Sequence, residues 1–388
     1  MEKVAGIIAE YNPLHRGHVH HMAETRRLLG GECAIVCVMS GDFVQRGSPA
    51  VFDKFARAAA AARAGADLVL ELPLPWSLSS AEGFARGGVS MLAVAGVVTH
   101  LSFGSETGKL PLLQGAAAAL ADPGFSALLR RELPTGVSFP AARQAALAQT
   151  LGADAAVLSH PNDLLAVEYL RAVHDLAAPL APLAVPRVGA GHDESGASAY
   201  PSASELRSRM ERGVDVSPFA PFLPDAPPVF PPDLEIALLS RLRMLPRSAW
   251  AQTPGAAEGL ENVLYRAARS EPTVETILAA AKSKRYPMSR LRRMVLCAAL
   301  GVPKEIGLPP YLRVLAANER GRGLLRRMAK EARLPVITKP AAVKSLSETA
   351  QSVFRLNSDA HDFYRLARPG QTPGQDWRQT PCMVSSAS

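Results

Sequence analysis

Short apolar runs alternate with amphipathic stretches along the first half of the chain. The runs at 4–9, 33–39, 67–72, 97–103, 155–158 and, more weakly, 180–185 are brief and bounded by turn residues, which predicts buried strands. Between them, residues 17–29, 53–64, 79–95, 110–121, 139–151 and 163–176 carry apolar positions at helical spacing. Such alternation predicts βαβ units, hence an α/β fold with a Rossmann-like parallel sheet and helices on both faces. Ligands of such sheets sit beyond the carboxyl ends of the strands. Segments 12–18, 40–47 and 104–105 all fall there.

The pattern changes at a Pro-rich stretch, 217–232, read as a linker. Beyond it only helical periodicity is expected, at 235–244, 260–270, 274–283, 289–300, 321–331 and 345–356. The predicted organisation is therefore an α/β domain over 1–216, the linker at 217–232, an all-helical domain over 233–368, and a flexible Pro-, Gly-, Gln- and Ser-rich tail over 369–388.

With 48% hydrophobic and 20% charged residues the chain has the composition of a folded, not a disordered, protein. The four cysteines are too scattered for a disulfide framework, and Cys33 and Cys37 read as core residues. No signal-like or membrane-spanning stretch is evident, so a cytoplasmic protein is expected, with no membrane association and no protein partner inferable. The formal net charge of +8 fits an acidic partner without requiring one.

The chemistry concentrates after the first strand, in Glu10-Tyr11-Asn12-Pro13-Leu14-His15-Arg16-Gly17-His18. A glycine there admits close backbone approach to a ligand, and the free N–H groups of the following helix's first turn are expected to hold an anion. His15 and His18, three apart, share one helix face and are read as donors to an α-phosphate, whose oxygens gain charge during attack. His20 and His21 point elsewhere and read as packing or rim residues. The histidines have no acidic or thiol partner at ligand spacing, so no metal site is expected.

Ser40-Gly41-Asp42-Phe43-Val44-Gln45-Arg46-Gly47, Phe103-Gly104-Ser105-Glu106 and Pro161-Asn162-Asp163 are read as further strand ends carrying glycine and polar groups. Arg187 is either a phosphate ligand or a surface residue, and Tyr200 to Arg207 opens a helix on small hydroxyl residues. From Lys282 to Arg333 there are fourteen Lys or Arg against three acids, with Tyr286 and Tyr311 interleaved. That imbalance suits a phosphate backbone with stacked, unpaired bases, as in structured RNA. Lys282, Lys284, Arg285, Arg290, Arg293 and Arg313 are the expected RNA contacts.

In combination these blocks resemble the bacterial tRNA(Met) cytidine acetate ligase family, within the His-x-Gly-His nucleotidyltransferase superfamily. The segment from Gly6 to His18 resembles the family's opening, Met39 to Gly47 its second block and Gly65 to Pro73 its third. Phe103 to Glu106, Pro161 to Asp163, Gly189-Ala190-Gly191-His192-Asp193, Lys284-Arg285-Tyr286 and Tyr311 to Leu315 follow in the family's order. Leu14 replaces the usual aromatic residue and Arg16 a small polar one.

The resemblance implies an ATP pocket from Ile8, Ala9, Glu10, Tyr11, Asn12, Pro13, Leu14, His15, Arg16, Gly17, His18, Val19, His20 and His21, completed by Gly104, Asn162 and Arg187. It implies that ATP, with Mg²⁺, and acetate give acetyl-adenylate, with His15 and His18 as the catalytic pair. The acetyl group then passes to N4 of the wobble cytidine of elongator tRNA(Met). The rival readings are an adenylyltransferase acting on a small metabolite and a non-catalytic RNA-binding protein.

Overall fold

The computed structural model describes residues 2–133, 137–187, 200–305, 307–368 and 370–385. Strands β1 (Val4–Ala9) and β2 (Ala34–Ser40) are followed by a small hairpin of β3 (Phe43–Val44) and β4 (Ser48–Pro49). Then come β5 (Leu68–Leu72), β6 (His100–Ser105), β7 (Ala181–Pro186), β8 (Leu312–Ala317), β9 (Val336–Ile337) and β10 (Cys382–Met383). The main sheet has the order β10-β8-β5-β2-β1-β6-β7, with β9 also on β8. Its pairings are parallel except β5 with β8. β2 is buried throughout, because helices cover both faces. The chain builds outward from β1 on one side through β2 and β5, then crosses back to β6, so the order switches direction between β1 and β6. Such a switch opens a crevice at the carboxyl ends.

The covering helices are α1 (Arg16–Leu29), α2 (Lys54–Arg63), α3 (Ala81–Val94), α4 (Leu110–Ala121), α5 (Phe125–Glu132), α6 (Phe139–Leu151), α7 (Pro161–Asp175) and α8 (Ala203–Glu211). The crossovers press side chains onto glycine backbone. A Cβ on Gly6 of β1 would lie 2.7 Å from Leu92 of α3, and one on Gly88 of α3 would lie 2.6 Å from Ile8.

Residues 155–158, expected as a strand, belong to a 3-10 stretch, Gly152–Ser159, leading into α7. Four residues of small apolar character satisfy either pattern, and packing decides between them.

The second half departs further from expectation. Helices α9 (Glu235–Met244), α10 (Arg247–Ala251), α11 (Leu260–Ser270), α12 (Val274–Ala281) and α13 (Met288–Leu300) form a bundle around Trp250, Leu264 and Leu291. Phe43, Leu74 and Leu78 from the strand-end loops enter the same core. After α13 the chain returns to the sheet as β8, followed by α14 (Glu319–Glu331) and α15 (Glu348–Arg365). The region 233–368 is therefore not all-helical. The residues of β8 are buried at every position, but Arg313 puts a charge inside its apolar run and masks the strand in the sequence. The stretch 217–232 carries no strand and only a terminal 3-10 turn, yet it is pinned to the α/β layer: Phe219 O accepts from Arg16 N–H and Val229 N–H donates to Val51 O.

Two further corrections share one cause. Arg313, expected on the RNA surface, is 2% exposed in β8, and Asp376, in the supposedly flexible tail, is 0% exposed. Lys54 Nζ lies 2.8 Å from Glu71 Oε1 and 2.6 Å from Asp376 Oδ2; Arg313 Nη1 lies 3.1 Å from Glu71 Oε2 and 2.9 Å from Asp376 Oδ2. Two cations and two carboxylates neutralise one another inside the protein, the condition under which buried charge is tolerated. The tail is thereby tied down, and β10 adds to the edge of β8. Tyr311, expected to stack on bases, is also fully buried.

Candidate active site

β1 delivers Glu10 to His18 to the mouth of the crevice, through a cis Asn12–Pro13 bond and a left-handed Tyr11 (φ 47°). Two contacts fix this turn from below. Arg57, 1% exposed on α2, donates to the carbonyls of Glu10, Ser40, Gly41 and Phe52, tying the ends of β1 and β2 together. Arg207 of α8 donates to Asn12 O at 2.7 Å, while Asn12 Oδ1 accepts from Val51 N–H at 2.8 Å.

His15 is the N-cap of α1. Its Nδ1 accepts from Gly17 N–H at 3.1 Å, and its own N–H donates to His18 Nδ1 at 3.2 Å. The remaining first-turn N–H groups are also spent: Arg16 N–H donates to Phe219 O, and those of His18 and Val19 to His15 O. The expectation that free helix N–H groups hold an anion is thus replaced. The donors left are side chains. Gly17 serves the imidazole rather than a ligand, since a Cβ there would lie 2.8 Å from His15 Cε1.

A backbone N–H can only donate, so both Nδ1 atoms are unprotonated and each neutral ring carries its proton on Nε2. The two rings lie with centroids 3.9 Å apart and tilted by 34°, and Tyr11 sits edge-on to His18. Burial, with the nearby Arg187 guanidinium, brings His15 down to about 4. Burial, His15, Arg187 and His21 hold His18 well below its ordinary range. The pair is therefore two neutral N–H donors rather than two imidazolium ions. His21 is turned inward, its Nε2 2.9 Å from Ser102 Oγ, and burial holds it down at about 4. That matches a packing role.

The far wall is built by β6 and α7. Asp163, buried at the start of α7, accepts from Ser105 Oγ at 2.5 Å and from the N–H groups of Glu106 and Thr107. Glu106 in return accepts from the N–H groups of Asn162 and Asp163. This reciprocal clamp positions Asn162, whose Oδ1 meets Arg187 Nη1 at 3.4 Å. Asn162 thus stands on a helix start rather than a strand end. Arg187 lies across Gly104, its Cγ 3.4 Å from where a Cβ would project, and reaches toward the histidines. The segment Gly189 to Asp193, singled out in sequence, lies outside the described residues.

The near wall is the hairpin after β2. Gly47 (φ +81°) packs on the backbone of Arg292 and Arg293, at 2.6 Å for a Cβ placed there. Arg293 Nη1 donates to Gln45 O at 3.2 Å, and Gln45 N–H donates to Glu10 Oε1 at 2.8 Å. The start of α13 is thereby joined to the crevice. Lys282, Lys284 and Arg285 are exposed there, while Arg290 and Arg293 are half-buried, with Arg290 5.0 Å from the Tyr286 ring. The cations of α14 belong elsewhere: that helix begins at the opposite sheet edge, with Gly321 against Asp67 O, and Arg320, Arg322 and Arg327 pair with Glu32, Glu319 and Glu2. The basic run seen in sequence is therefore split into one face beside the crevice and one remote from it.

Sequence reasoning passed over Arg57, and gave Arg207 no clear role. An arginine in the Ala-rich stretch 54–64 was the available signal for the first. Among the described residues no group of three or more His, Cys, Asp or Glu could hold a metal ion, and no single helix is long and apolar enough to cross a membrane.

Residues 1–379 match the family described as HIGH Nucleotidyl Transferase. A tRNA(Met) cytidine acetate ligase of Syntrophomonas wolfei is 34% identical over 411 residues, covering 97% of this chain and 99% of its own. One from Caldanaerobacter subterraneus is 35% identical over 384 residues, covering 93% and 94%. The crystal structure of Thermotoga maritima TmcAL bound with alpha-thio ATP superposes with a TM-score of 0.90 at 31% identity, over 99% of this chain and 100% of that one. The apo form of the same protein gives 0.90 at 32%. Whole-length identity above 30% and a shared architecture make this chain a member of the tRNA(Met) cytidine acetate ligase family of HIGH nucleotidyl transferases.

Proposed function

We propose that this protein activates acetate with ATP as acetyl-adenylate and transfers the acetyl group to N4 of the wobble cytidine of elongator tRNA(Met), in the cytoplasm. The observation that carries the reading is the pair of neutral imidazoles fixed through Nδ1 at the start of α1, each with its proton on Nε2 and with Arg187 close by. When acetate attacks the α-phosphate, negative charge grows on its non-bridging oxygens. Two donors already fixed by the backbone stabilise that charge without reorganising. Arg187 beside the histidines and Arg46 beside Glu10 would supply the cationic rim for a triphosphate. The names of the relatives support the substrate assignment, and the ATP analogue in the Thermotoga maritima structure supports the nucleotide.

No three-ligand protein cage is available among the described residues, so Mg²⁺ would enter on the triphosphate and neutralise the leaving pyrophosphate, as it commonly does in phosphate sites. Lys282, Lys284, Arg285, Arg290 and Arg293 form the face on which the tRNA backbone would lie, leading through Gln45 to the crevice. Arg313 has no part in it. A metabolite adenylyltransferase would have no use for such a face. Acetate-dependent exchange of pyrophosphate into ATP tests the first half-reaction, and its absence in the wild type would remove the proposal.

A further inference from the structure

We infer that Glu10 is the general base of the transfer step, taking the proton from N4 of the acceptor cytidine as that nitrogen attacks the acetyl carbonyl. The inference rests on the acetyl-adenylate reading and adds the residue that its second half requires. The cytosine amine is a weak nucleophile, because its lone pair is delocalised into the ring. As the C–N bond forms, N4 must lose a proton, and the C–O bond to AMP breaks with its electron pair leaving on the phosphate. The proton passes to the Glu10 carboxylate and then to solvent, so no further reactant is needed.

Asp42, Glu71, Glu106 and Asp163, the other carboxylates on or just beyond β2, β5 and β6 and at the start of α7, have both oxygens engaged. Asp42 is held by Lys54 N–H and His361 Nδ1, and Glu71 by Lys54 Nζ and Arg313. Glu106 is held by the N–H groups of Asn162 and Asp163. Asp163 is held by Ser105 Oγ and the N–H groups of Glu106 and Thr107. Glu10 alone among the five keeps an oxygen without a partner. Oε1 accepts from Gln45 N–H, and Oε2 has no hydrogen bond or ion pair among the described residues. His15 and His18 are excluded as bases, since Nδ1 of each accepts a backbone N–H and Nε2 already carries the proton.

Position points the same way. Glu10 is half-buried at the end of β1, open to the crevice, and its Gln45 partner is bonded by Arg293 of the basic face. One residue therefore separates the proposed base from the surface on which RNA would lie. Burial raises the Glu10 pKa and so makes it a stronger base, while Arg207, Arg46 and Arg57 favour its carboxylate form.

The test uses the full chain and separates the two half-reactions. Glu10→Gln keeps the side-chain length and an oxygen to accept from Gln45. Its exchange of pyrophosphate into ATP is measured first and should fall less than transfer does, since Glu10 also lies in the segment expected to hold ATP. Acetyl transfer to tRNA from supplied synthetic acetyl-adenylate should fall by about 10²–10⁴. Glu10→Asp should recover part of the transfer, and it carries the same comparison should Glu10→Gln melt early. Transfer at the wild-type rate in Glu10→Gln would overturn the assignment. So would loss of exchange in proportion to transfer, or a changed Mg²⁺ requirement for exchange, either of which would make Glu10 part of the nucleotide site. A wild-type enzyme unable to use supplied acetyl-adenylate would instead overturn the intermediate on which both proposals rest.

Discussion

His15 donates its backbone N–H to Nδ1 of His18 at 3.2 Å, so the position of one imidazole is set by the main chain of the other. Together with the Gly17 N–H on His15 Nδ1, this makes the His-x-Gly-His turn a device for fixing tautomers. The glycine is required because the His15 ring occupies the space of its Cβ.

His18→Ala removes one preplaced donor and should lower acetate-dependent ATP/pyrophosphate exchange by about 10²–10³. Melting should fall slightly as well, because His18 Nδ1 is the half of the capping box that serves the His15 N–H. His15→Ala should lose exchange similarly and also destabilise the fold by about 1 kcal/mol, since it removes an N-cap. A wild-type melting midpoint in His15→Ala would contradict the capping role.

The buried histidines link stability to pH. His15 and His21 are held at about 4 against an ordinary 6.5, and His18 is shifted in the same direction. The unfolded chain therefore binds protons more readily, so the stability these rings contribute is complete above 6.5 and is lost as pH falls toward 4. Thermal melts between pH 7 and about pH 4 should show a shallower decline for His21→Gln than for wild type. Parallel curves would count against it.

Arg313 and Arg285 should separate stability from RNA binding. Arg313→Ala leaves Glu71 and Asp376 short of a partner in the interior and should cost about 3–5 kcal/mol, with tRNA affinity of the folded fraction unchanged. Arg285→Ala, on the exposed face, should leave melting unaltered and weaken tRNA binding. It should also reduce the slope of log affinity against log salt by about 0.7–0.9, one phosphate contact. A gel-shift titration across salt, beside a melt, reads both.

Truncation after residue 369 removes Asp376 and β10, leaving Lys54 and Arg313 facing Glu71 alone. The shortened chain should melt well below wild type, and Asp376→Asn should reproduce much of the loss. A truncated chain with an unchanged midpoint would show that the tail is dispensable.

The parallel sheet, the crevice loops and the histidine pair were legible because each leaves a local mark: a short apolar run, a Pro-containing turn, a three-residue spacing. What escaped was set by distant partners. Arg313 and Asp376 look like a surface cation and a tail acid until Lys54 and Glu71 bring them together. β8 is hidden because Arg313 interrupts its apolar run with a charge, whereas β2, equally buried, carries none. The loss of the α1 N–H groups to His15 and Phe219 depends on side-chain and loop geometry that periodicity does not carry.

The most direct test is to incubate the protein with ATP, isotopically labelled acetate and total tRNA, and analyse the nucleosides by mass spectrometry. Labelled N4-acetylcytidine should appear in elongator tRNA(Met), with one AMP and one pyrophosphate formed per acetyl group. Pyrophosphate release with AMP left on a small acceptor, and no labelled cytidine, would contradict the account.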